Sequence, residues 1–194
     1  MTTQFQPTLR YALLSRSTLA TNVALAIGGT AFIAAMAQIS FPLPGSPVPF
    51  TGQTLAVLLL GSAYGANLGI ATLSLYIAAG VAGLPVFTQS THGLSHLTGA
   101  TGGYLVGMAF ASYISGFLAQ KKFDQRFSTV IPTMVISNLI IFTFGVLWLQ
   151  HVTAQSWNWT IAHGFTPFIA GEALKIAIAS TSLPVVWRLV SRIK

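Results

Sequence analysis

Residues Ile131–His151 read IPTMVISNLIIFTFGVLWLQH, and this stretch decides the fold. It contains no Asp, Glu, Lys or Arg, and it matches the roughly 20 residues that a helix needs to cross the hydrocarbon core of a bilayer. The rest of the chain is similar, since 6% of its 194 residues are charged and 53% are hydrophobic. A soluble domain carries about a quarter charged residues. We therefore predict an all-α membrane protein.

Further apolar stretches lie on both sides of this one, separated by proline-rich, glycine-rich or basic segments. The six predicted helices are Leu19–Phe41, Thr51–Tyr64, Leu68–Leu84, Thr101–Ala119, Ile131–His151 and Pro167–Val190. Prolines within residues 42–49 end the first helix, whereas Pro167 suits the first turn of the last one. No repeat or linker divides the chain. We predict a single transmembrane domain over residues 1–194, with a cytoplasmic segment at about 1–18 and a six-helix bundle at about 19–190.

The basic residues test this helix count and set the orientation. Eight of the nine fall on one predicted side of the membrane: Arg10, Arg16, Lys121, Lys122, Arg126, Arg188, Arg192 and Lys194. The positive-inside rule makes that side, and both termini, cytoplasmic. Because these charges sit at the ends of apolar segments, the net charge of +7 indicates membrane orientation and not nucleic-acid binding. The chain has no cysteine, which excludes disulfides, thiolate nucleophiles and zinc–thiolate sites.

The ninth basic residue, Lys175, lies inside the last predicted helix, three positions after Glu172. This spacing places both side chains on one helical face. A charge at membrane depth costs about 2.5–3.5 kcal/mol on insertion scales, so such residues usually face a cavity or the bundle interior. One interpretation is a structural pair that neutralises itself. The other is a ligand site, where Lys175 holds an anionic group and Glu172 accepts from N–H donors. The two interpretations are compatible.

Other polar and aromatic residues at the predicted outer ends are candidate ligand contacts. They are Gln53 after the first loop, Tyr76 and Phe87 around the third helix and its end, and Gly102, Gly103 and Tyr104 at the start of the fourth. The two glycines allow close approach either of a ligand to the backbone or of another helix. Asn138 is expected to be an interhelical hydrogen-bond donor.

Two histidines of the third loop, His92 and His96, have the i,i+4 spacing of metal ligands on a helix. No third ligand is evident beyond Glu172 or His163, and zinc requires three or four ligands. We therefore predict solvated loop histidines and no metal or cofactor.

The first helix carries a ladder of small residues that includes Ala24, Gly28, Ala31 and Ala35. Small residues four apart let another helix approach closely. The ladder predicts either packing within this bundle or docking to a separate membrane subunit.

Four segments resemble motifs of the BioY family, the biotin-specific substrate-binding (S) components of energy-coupling-factor (ECF) transporters. They are SPVPFTGQT at residues 46–54, AGVAGLPVF at 79–87, GATGGYLVG at 99–107 and PFIAGEALK at 167–175. The resemblance covers about Ala20 to Val190. The sequence departs from the family pattern at Gly52, Ala100 and Ala170, in the longer Glu172 where Asp is common, and in a third loop with two histidines in place of a glycine run.

The resemblance implies a six-helix bundle in a prokaryotic plasma membrane, with a substrate cavity near the outer face capped by the first and third loops. It implies that Glu172 and Lys175 line a biotin pocket, and more weakly that Tyr104, Gln53 and third-loop residues do. It also implies a transmembrane coupling subunit and two cytoplasmic ATPases as partners. The chain has no phosphate-binding Walker A motif of its own.

Biotin suits these residues chemically, because it has a carboxylate at one end and a ureido ring at the other. Lys175 can pair with the carboxylate while Glu172 accepts from ureido N–H groups, and the opposite orientation, with a loop group taking the carboxylate, stays open. We predict a non-enzymatic vitamin-binding transport subunit. The alternatives are an S component for another vitamin, such as thiamine or riboflavin, and a membrane enzyme using Glu172 with histidines. A cationic ligand such as thiamine would be repelled by Lys175.

Overall fold

The computed structural model describes residues 8–14 and 18–193, so Arg16, Lys194 and most of the predicted N-terminal segment lie outside the described residues. The α-helices are α1 Leu9–Leu13, α2 Leu19–Gln38, α3 Gln53–Tyr64, α4 Ala66–Val81, α5 Leu94–Thr98, α6 Gly102–Ala119, α7 Phe127–Thr153, α8 Trp157–Gly164 and α9 Ile169–Ile193. Single 3₁₀ turns occur at Thr88–Ser90 and Thr166–Phe168. The strands β1 Ser40–Phe41 and β2 Phe50–Thr51 form a two-residue antiparallel ladder.

All six predicted helices are present as α2, α3, α4, α6, α7 and α9. Among the residues that the structure describes, four stretches are long and apolar enough to cross a membrane: Leu19–Gln38, Gly102–Ala119, Phe127–Thr153 and Trp157–Arg192. The apolar helices α3 and α4 have 12 and 16 residues, fewer than the 17–25 of a usual spanning helix.

Helix α6 lies at the centre of the bundle and packs against α7, α3 and α4. Its glycines allow these close contacts. A Cβ at Gly103 would overlap Trp148 of α7, one at Gly107 would press on the backbone of Ile141, and one at Gly116 would overlap the backbone before α4. Small residues bring helices together in membranes because lipid supplies no hydrophobic force between them. The packing of α6 therefore depends on residues without side chains.

Several predicted bounds were wrong where the loops have structure of their own. Helix α2 ends at Gln38 and not at Phe41, because Ser40 and Phe41 pair with Thr51 and Phe50 across the proline-rich segment. Helix α3 consequently begins at Gln53. Pro167 lies in the 3₁₀ turn that precedes α9 and not in the α-helix itself.

The ladder of small residues on α2 faces away from the bundle. Ala24, Gly28, Ala31 and Ala35 are all exposed. Apart from its chain neighbours and its own helix backbone, no heavy atom of the described residues lies within 4 Å of a Cβ built on Gly28. The opposite face, with the buried Gly29, is the one that packs on Thr72 of α4. Among the described residues, the ladder is therefore not used for packing within the bundle.

Candidate functional site

The loops after α2, α4 and α7 meet at one end of the bundle. The Ser46 hydroxyl donates to the backbone oxygen of His163 (2.7 Å) and so joins the loop after α2 to α8. The Gln38 side chain donates to the backbone oxygen of Phe87 (3.0 Å) and accepts from the backbone N–H of Ser90 (2.9 Å), which ties the loop after α4 to the end of α2. These three loops form a cover, called here the lid.

Beneath the lid lies a small cavity. It is lined by Val48, Pro49, Thr51, Gln53, Thr54, Thr88, His96, Thr101, Tyr104, Leu105, Met108, Ile141, Phe142, Phe168, Glu172 and Lys175. The space open to the centre of a water-sized molecule is only about 40 Å³, and one water needs about 10–15 Å³ on this measure. A ligand larger than a few atoms therefore requires the lid or lining side chains to move.

Lys175 and Glu172 form an ion pair in the cavity wall, with an Nζ to Oε1 distance of 2.6 Å and side chains only 8% and 7% exposed. Lys175 also donates to the backbone oxygen of Thr51 and to the hydroxyl of Thr54 (2.8 Å). These contacts engage all three N–H donors of the ammonium group. Its nitrogen also lies 3.9 Å from the centre of the Phe50 ring, a cation–π contact.

Glu172 receives hydrogen bonds from two other helices. The Thr54 hydroxyl of α3 lies 3.0 Å from both carboxylate oxygens. Asn138 of α7 donates from Nδ2 to Oε2 at 3.0 Å, which confirms the prediction that Asn138 is an interhelical donor. Three helices therefore meet at this carboxylate. Buried charges persist only when paired and hydrogen-bonded in this way.

Gln53 organises the neighbouring wall. Its Nε2 donates to the Tyr76 hydroxyl (2.7 Å), and its Oε1 accepts from the hydroxyls of Thr51 (3.2 Å) and Thr88 (3.3 Å). Tyr76 in turn donates to the backbone oxygen of Val86 (3.1 Å). These contacts connect the first turn of α3 to the segment that follows α4.

Aromatic rings form the apolar wall. Tyr104 donates to the backbone oxygen of Gly164 (2.7 Å) and meets Phe142 edge-on, with ring centres 6.1 Å apart. Phe142 also contacts Phe168, with ring centres 5.9 Å apart. The Phe50 ring lies against Gly171, where a Cβ would overlap it. Apolar walls with a few fixed polar groups are typical of small-molecule sites.

His96 lies in α5 and lines the cavity, half-buried, so the prediction of a solvated loop histidine was wrong for this residue. Its ring stacks on Phe87, with ring centres 4.6 Å apart. Its Nδ1 lies 3.0 Å from the Thr91 hydroxyl and its Nε2 lies 3.3 Å from the Thr101 hydroxyl. Within residues 8–14 and 18–193, no group of three or more His, Cys, Asp or Glu side chains could hold a metal ion.

The predicted ligand contacts divide into three groups. Lys175, Glu172, Tyr104 and Gln53 line the cavity. Phe87 and Tyr76 are buried next to it, where Tyr76 holds Gln53 and the Phe87 ring supports His96. Gly102 and Gly103 are not among the residues that line the cavity. A Cβ on Gly102 would overlap the backbone oxygen of Leu97, and one on Gly103 would overlap Trp148. The geometry thus favours the packing interpretation for the two glycines.

Sequence reasoning missed most of the apolar lining and the contact of Asn138 with the acidic group. Leu105, Met108, Ile141 and Phe142 are ordinary helix residues in sequence, and nothing in their spacing marks them as cavity residues. Pro49 and Thr51 could have been predicted as lining residues, because they lie inside the family motif at residues 46–54.

Comparison with known proteins places the chain among vitamin transporters. A model of the BioY family matches residues 4–192. The chain is 35% identical over 151 residues to the biotin transporter BioY of Thermotoga maritima, covering 78% of this chain and 86% of that protein. It is 33% identical over 153 residues to the biotin transporter BioY2 of Lactococcus lactis subsp. cremoris, covering 78% of this chain and 82% of that protein.

The fold is similar to that of one solved structure in particular, the crystal structure of the S-component for biotin from an ECF-type ABC transporter. The TM-score is 0.78 at 22% sequence identity, over 90% of this chain and 94% of that chain. At this identity, the similarity establishes the S-component fold.

Proposed function

Because the chain belongs to the BioY family, we propose that it is the biotin-binding S component of an ECF-type importer and captures biotin in the cavity beneath the lid. The family prediction made from the four motifs is confirmed. This is a family of transporters, so the chain is not an enzyme. The observation that carries the proposal is the buried Glu172–Lys175 pair in the wall of the cavity beneath the lid.

We assign the ureido ring of biotin to this pair. A ureido group has N–H donors for the Glu172 carboxylate. The pair is already neutral, and the three N–H donors of Lys175 are engaged by protein groups. A carboxylate at Lys175 would have to displace one of these bonds, whereas a neutral ureido ring adds no charge. This is the orientation that the sequence left open as the second choice.

We also propose that α2, α3, α4, α6, α7 and α9 all span the membrane, within a single domain of the prokaryotic plasma membrane. The described basic residues Lys121, Lys122 and Arg126 lie between α6 and α7, and Arg188 and Arg192 lie near the end of α9. This distribution supports a cytoplasmic location for that end. The lid then faces outward, where it opens to admit biotin and closes over it.

The partners we propose are a transmembrane coupling subunit and two cytoplasmic ATPases. The exposed ladder Ala24, Gly28, Ala31 and Ala35 supports docking of the coupling subunit on α2, because it leaves a smooth strip where another helix backbone can approach closely. ATP hydrolysis by the partners would drive reorientation of the bundle and release of biotin to the cytoplasm.

Uptake of labelled biotin tests this function. The chain is produced with a coupling module in bacteria that lack biotin import, and the Glu172→Gln variant serves as the matched control. We expect accumulation of labelled biotin that exceeds the control and is competed by unlabelled biotin but not by thiamine. Equal uptake by the variant, or competition by thiamine, would contradict the proposal.

A further inference from the structure

His96 separates the cavity from the outer surface of the protein. It lines the cavity on one side. On the other side it lines an open polar depression formed with Ser90, Thr91, His92 and Ser95. A ligand that passes from this depression to Glu172 and Lys175 therefore has to pass the His96 ring. After it has entered, its trailing end lies beside that ring.

The hydrogen bonds around His96 assign its tautomer. The Thr91 hydroxyl donates its hydrogen to the backbone oxygen of Thr88 (2.8 Å). Its oxygen therefore accepts at its contact with His96, and Nδ1 carries the proton. In a neutral imidazole the other nitrogen is then an acceptor. This nitrogen, Nε2, faces Thr101 in the cavity wall, and protonation would turn it into a second donor.

The charges around the cavity single out His96 for an acidic ligand group. Glu172 neutralises Lys175, and Thr88 donates its hydroxyl hydrogen to Gln53. Besides His96, the polar residues at this end of the lining are Thr88 and Thr101, and neither carries an ionisable group. An ionised carboxylate in a poorly hydrated site is costly unless it is paired and hydrogen-bonded. His96 is the lining residue at this end that can gain a positive charge.

We propose that His96 forms the anion-binding end of the cavity, where its Nε2 takes up a proton from solvent as biotin binds and donates to the ligand carboxylate. This inference rests on the proposed function, because the ligand's ureido ring occupies the Glu172–Lys175 end. Biotin then spans the cavity with its two polar ends at two different protein sites.

The surroundings of His96 fit this role. Burial lowers the pKa of His96 below its ordinary value, so the ring is neutral at pH 7 before a ligand arrives. The titratable side chains of the neighbouring segments are His92 of the same loop, Tyr76 of α4 and Tyr104 of α6, and Glu172 and Lys175 also line the cavity. A bound carboxylate raises the pKa of an adjacent imidazole. Biotin binding should therefore tighten as pH falls.

Calorimetric titration of the purified full chain tests the inference with two probes, biotin and its neutral primary amide. At pH 8 and pH 6 we expect biotin affinity to rise about tenfold as pH falls, because proton linkage permits up to about tenfold per pH unit. Biotin should bind with net proton uptake, measured in buffers of different ionisation enthalpy. The amide should show less than about twofold change, and it reports any other titrating group, Asp124 included.

The His96→Gln variant and the matched His92→Gln control complete the experiment. We expect His96→Gln to lose the pH dependence and to weaken biotin binding about tenfold at pH 6, while its affinity for the amide stays within about threefold, which shows that it is folded. His92→Gln should behave as the parent. Equal pH dependence for biotin and the amide, or an unchanged profile in His96→Gln, overturns this inference alone. Failure of the parent to bind either probe overturns the proposed function as well.

Discussion

The hydroxyl oxygen of Thr54 lies 3.0 Å from both carboxylate oxygens of Glu172. This contact joins the first turn of α3 to the first turns of α9, across a sequence separation of 118 residues. The same hydroxyl also accepts from Lys175. A single threonine thus holds the carboxylate and ammonium groups at the cavity wall, immediately after the loop that covers them.

Thr54→Val should weaken both the fold and the site. Valine keeps the shape of threonine but leaves Glu172 and Lys175 short of one buried partner, which costs about 1–3 kcal/mol. We expect a lower unfolding temperature and roughly tenfold weaker biotin binding by calorimetry, with recovery in Thr54→Ser. The control is Thr133→Val, because the Thr133 hydroxyl is as buried but bonds only the Thr129 backbone of its own helix. Equal effects of the two valine variants on biotin affinity would contradict the role of Thr54.

Removing one charge of the Glu172–Lys175 pair should lower the folding stability more than removing both charges. A single Glu172→Gln or Lys175→Met change leaves a buried charge without its partner, a loss of about 3–5 kcal/mol in folding stability. The double variant removes both charges and should regain most of that stability.

Biotin binding separates this structural role from the ligand role. We expect the double variant to unfold near the parent temperature but to bind biotin at least tenfold more weakly, because its wall no longer offers a carboxylate to ureido N–H groups. A stable double variant with parental affinity would show that the pair is structural only. A double variant less stable than both single ones would contradict the pairing argument.

Replacement by alanine should lower the stability at a tightly packed glycine, Gly103, and leave it unchanged at an exposed one, Gly28. Gly103→Ala places a methyl group inside Trp148 and should destabilise the bundle by about 1–3 kcal/mol, the usual cost of overpacking. The added methyl group of Gly28→Ala meets no heavy atom of the described residues within 4 Å, apart from its chain neighbours and its own helix backbone. The unfolding temperature and biotin affinity of this variant should therefore match those of the parent.

A larger residue on the exposed ladder tests docking of the coupling subunit. Gly28→Leu should leave biotin binding by the isolated chain unchanged but reduce its co-purification with the coupling subunit and its uptake of biotin. The matched control is Leu19→Ala, which changes an exposed residue of the same helix outside the ladder. Undiminished co-purification of Gly28→Leu would contradict docking on this face.

The other acidic residue predicts an unusual pH profile of stability. Asp124 lies between α6 and α7, is fully buried and accepts from the indole N–H of Trp187 (2.6 Å). Burial raises the pKa of Asp124 to about 6, against the Trp187 hydrogen bond, which lowers it. Between the unfolded value of 3.8 and about 6, the folded state binds more protons than the unfolded state. The free energy of unfolding therefore falls as pH rises through this window, by about 3 kcal/mol at most.

Asp124→Asn checks this profile, because asparagine keeps an acceptor oxygen for Trp187 but cannot ionise. Thermal unfolding in detergent from pH 4.5 to 7.5 should show that the variant gains stability over the parent as pH rises. The two proteins should converge near the acidic limit. A parallel pair of curves would contradict an Asp124 that is charged and buried at neutral pH.

The sequence predicted the ends of helices well where the local composition alone determines them. The end of α6 at Ala119 and of α3 at Tyr64 agree with prediction, because basic or glycine residues follow the apolar run. Bounds failed where long-range contacts decide, as in the β1–β2 pairing that ends α2 early. Helices α5 and α8 were missed because they are short, polar in part and stabilised by the lid.

Some residues of the candidate site were likewise predictable from the sequence, and others were not. Glu172 and Lys175 were predictable because a charge inside an apolar helix is conspicuous. Thr54 and Asn138, which donate hydrogen bonds to Glu172, were only partly predictable. They lie on other helices and meet Glu172 only after the bundle packs. The position of His96 between the cavity and the open polar depression depends on the placement of α5, which no local pattern encodes.

Calorimetric titration of the detergent-purified chain, without added metal, with biotin, desthiobiotin and thiamine tests the central claim most directly. We expect saturable binding of one biotin per chain, similar behaviour of desthiobiotin, which keeps the ureido ring and the carboxylate, and no binding of cationic thiamine. Binding of thiamine, or the absence of any heat from biotin at a folded protein, would contradict the assignment of this cavity to biotin.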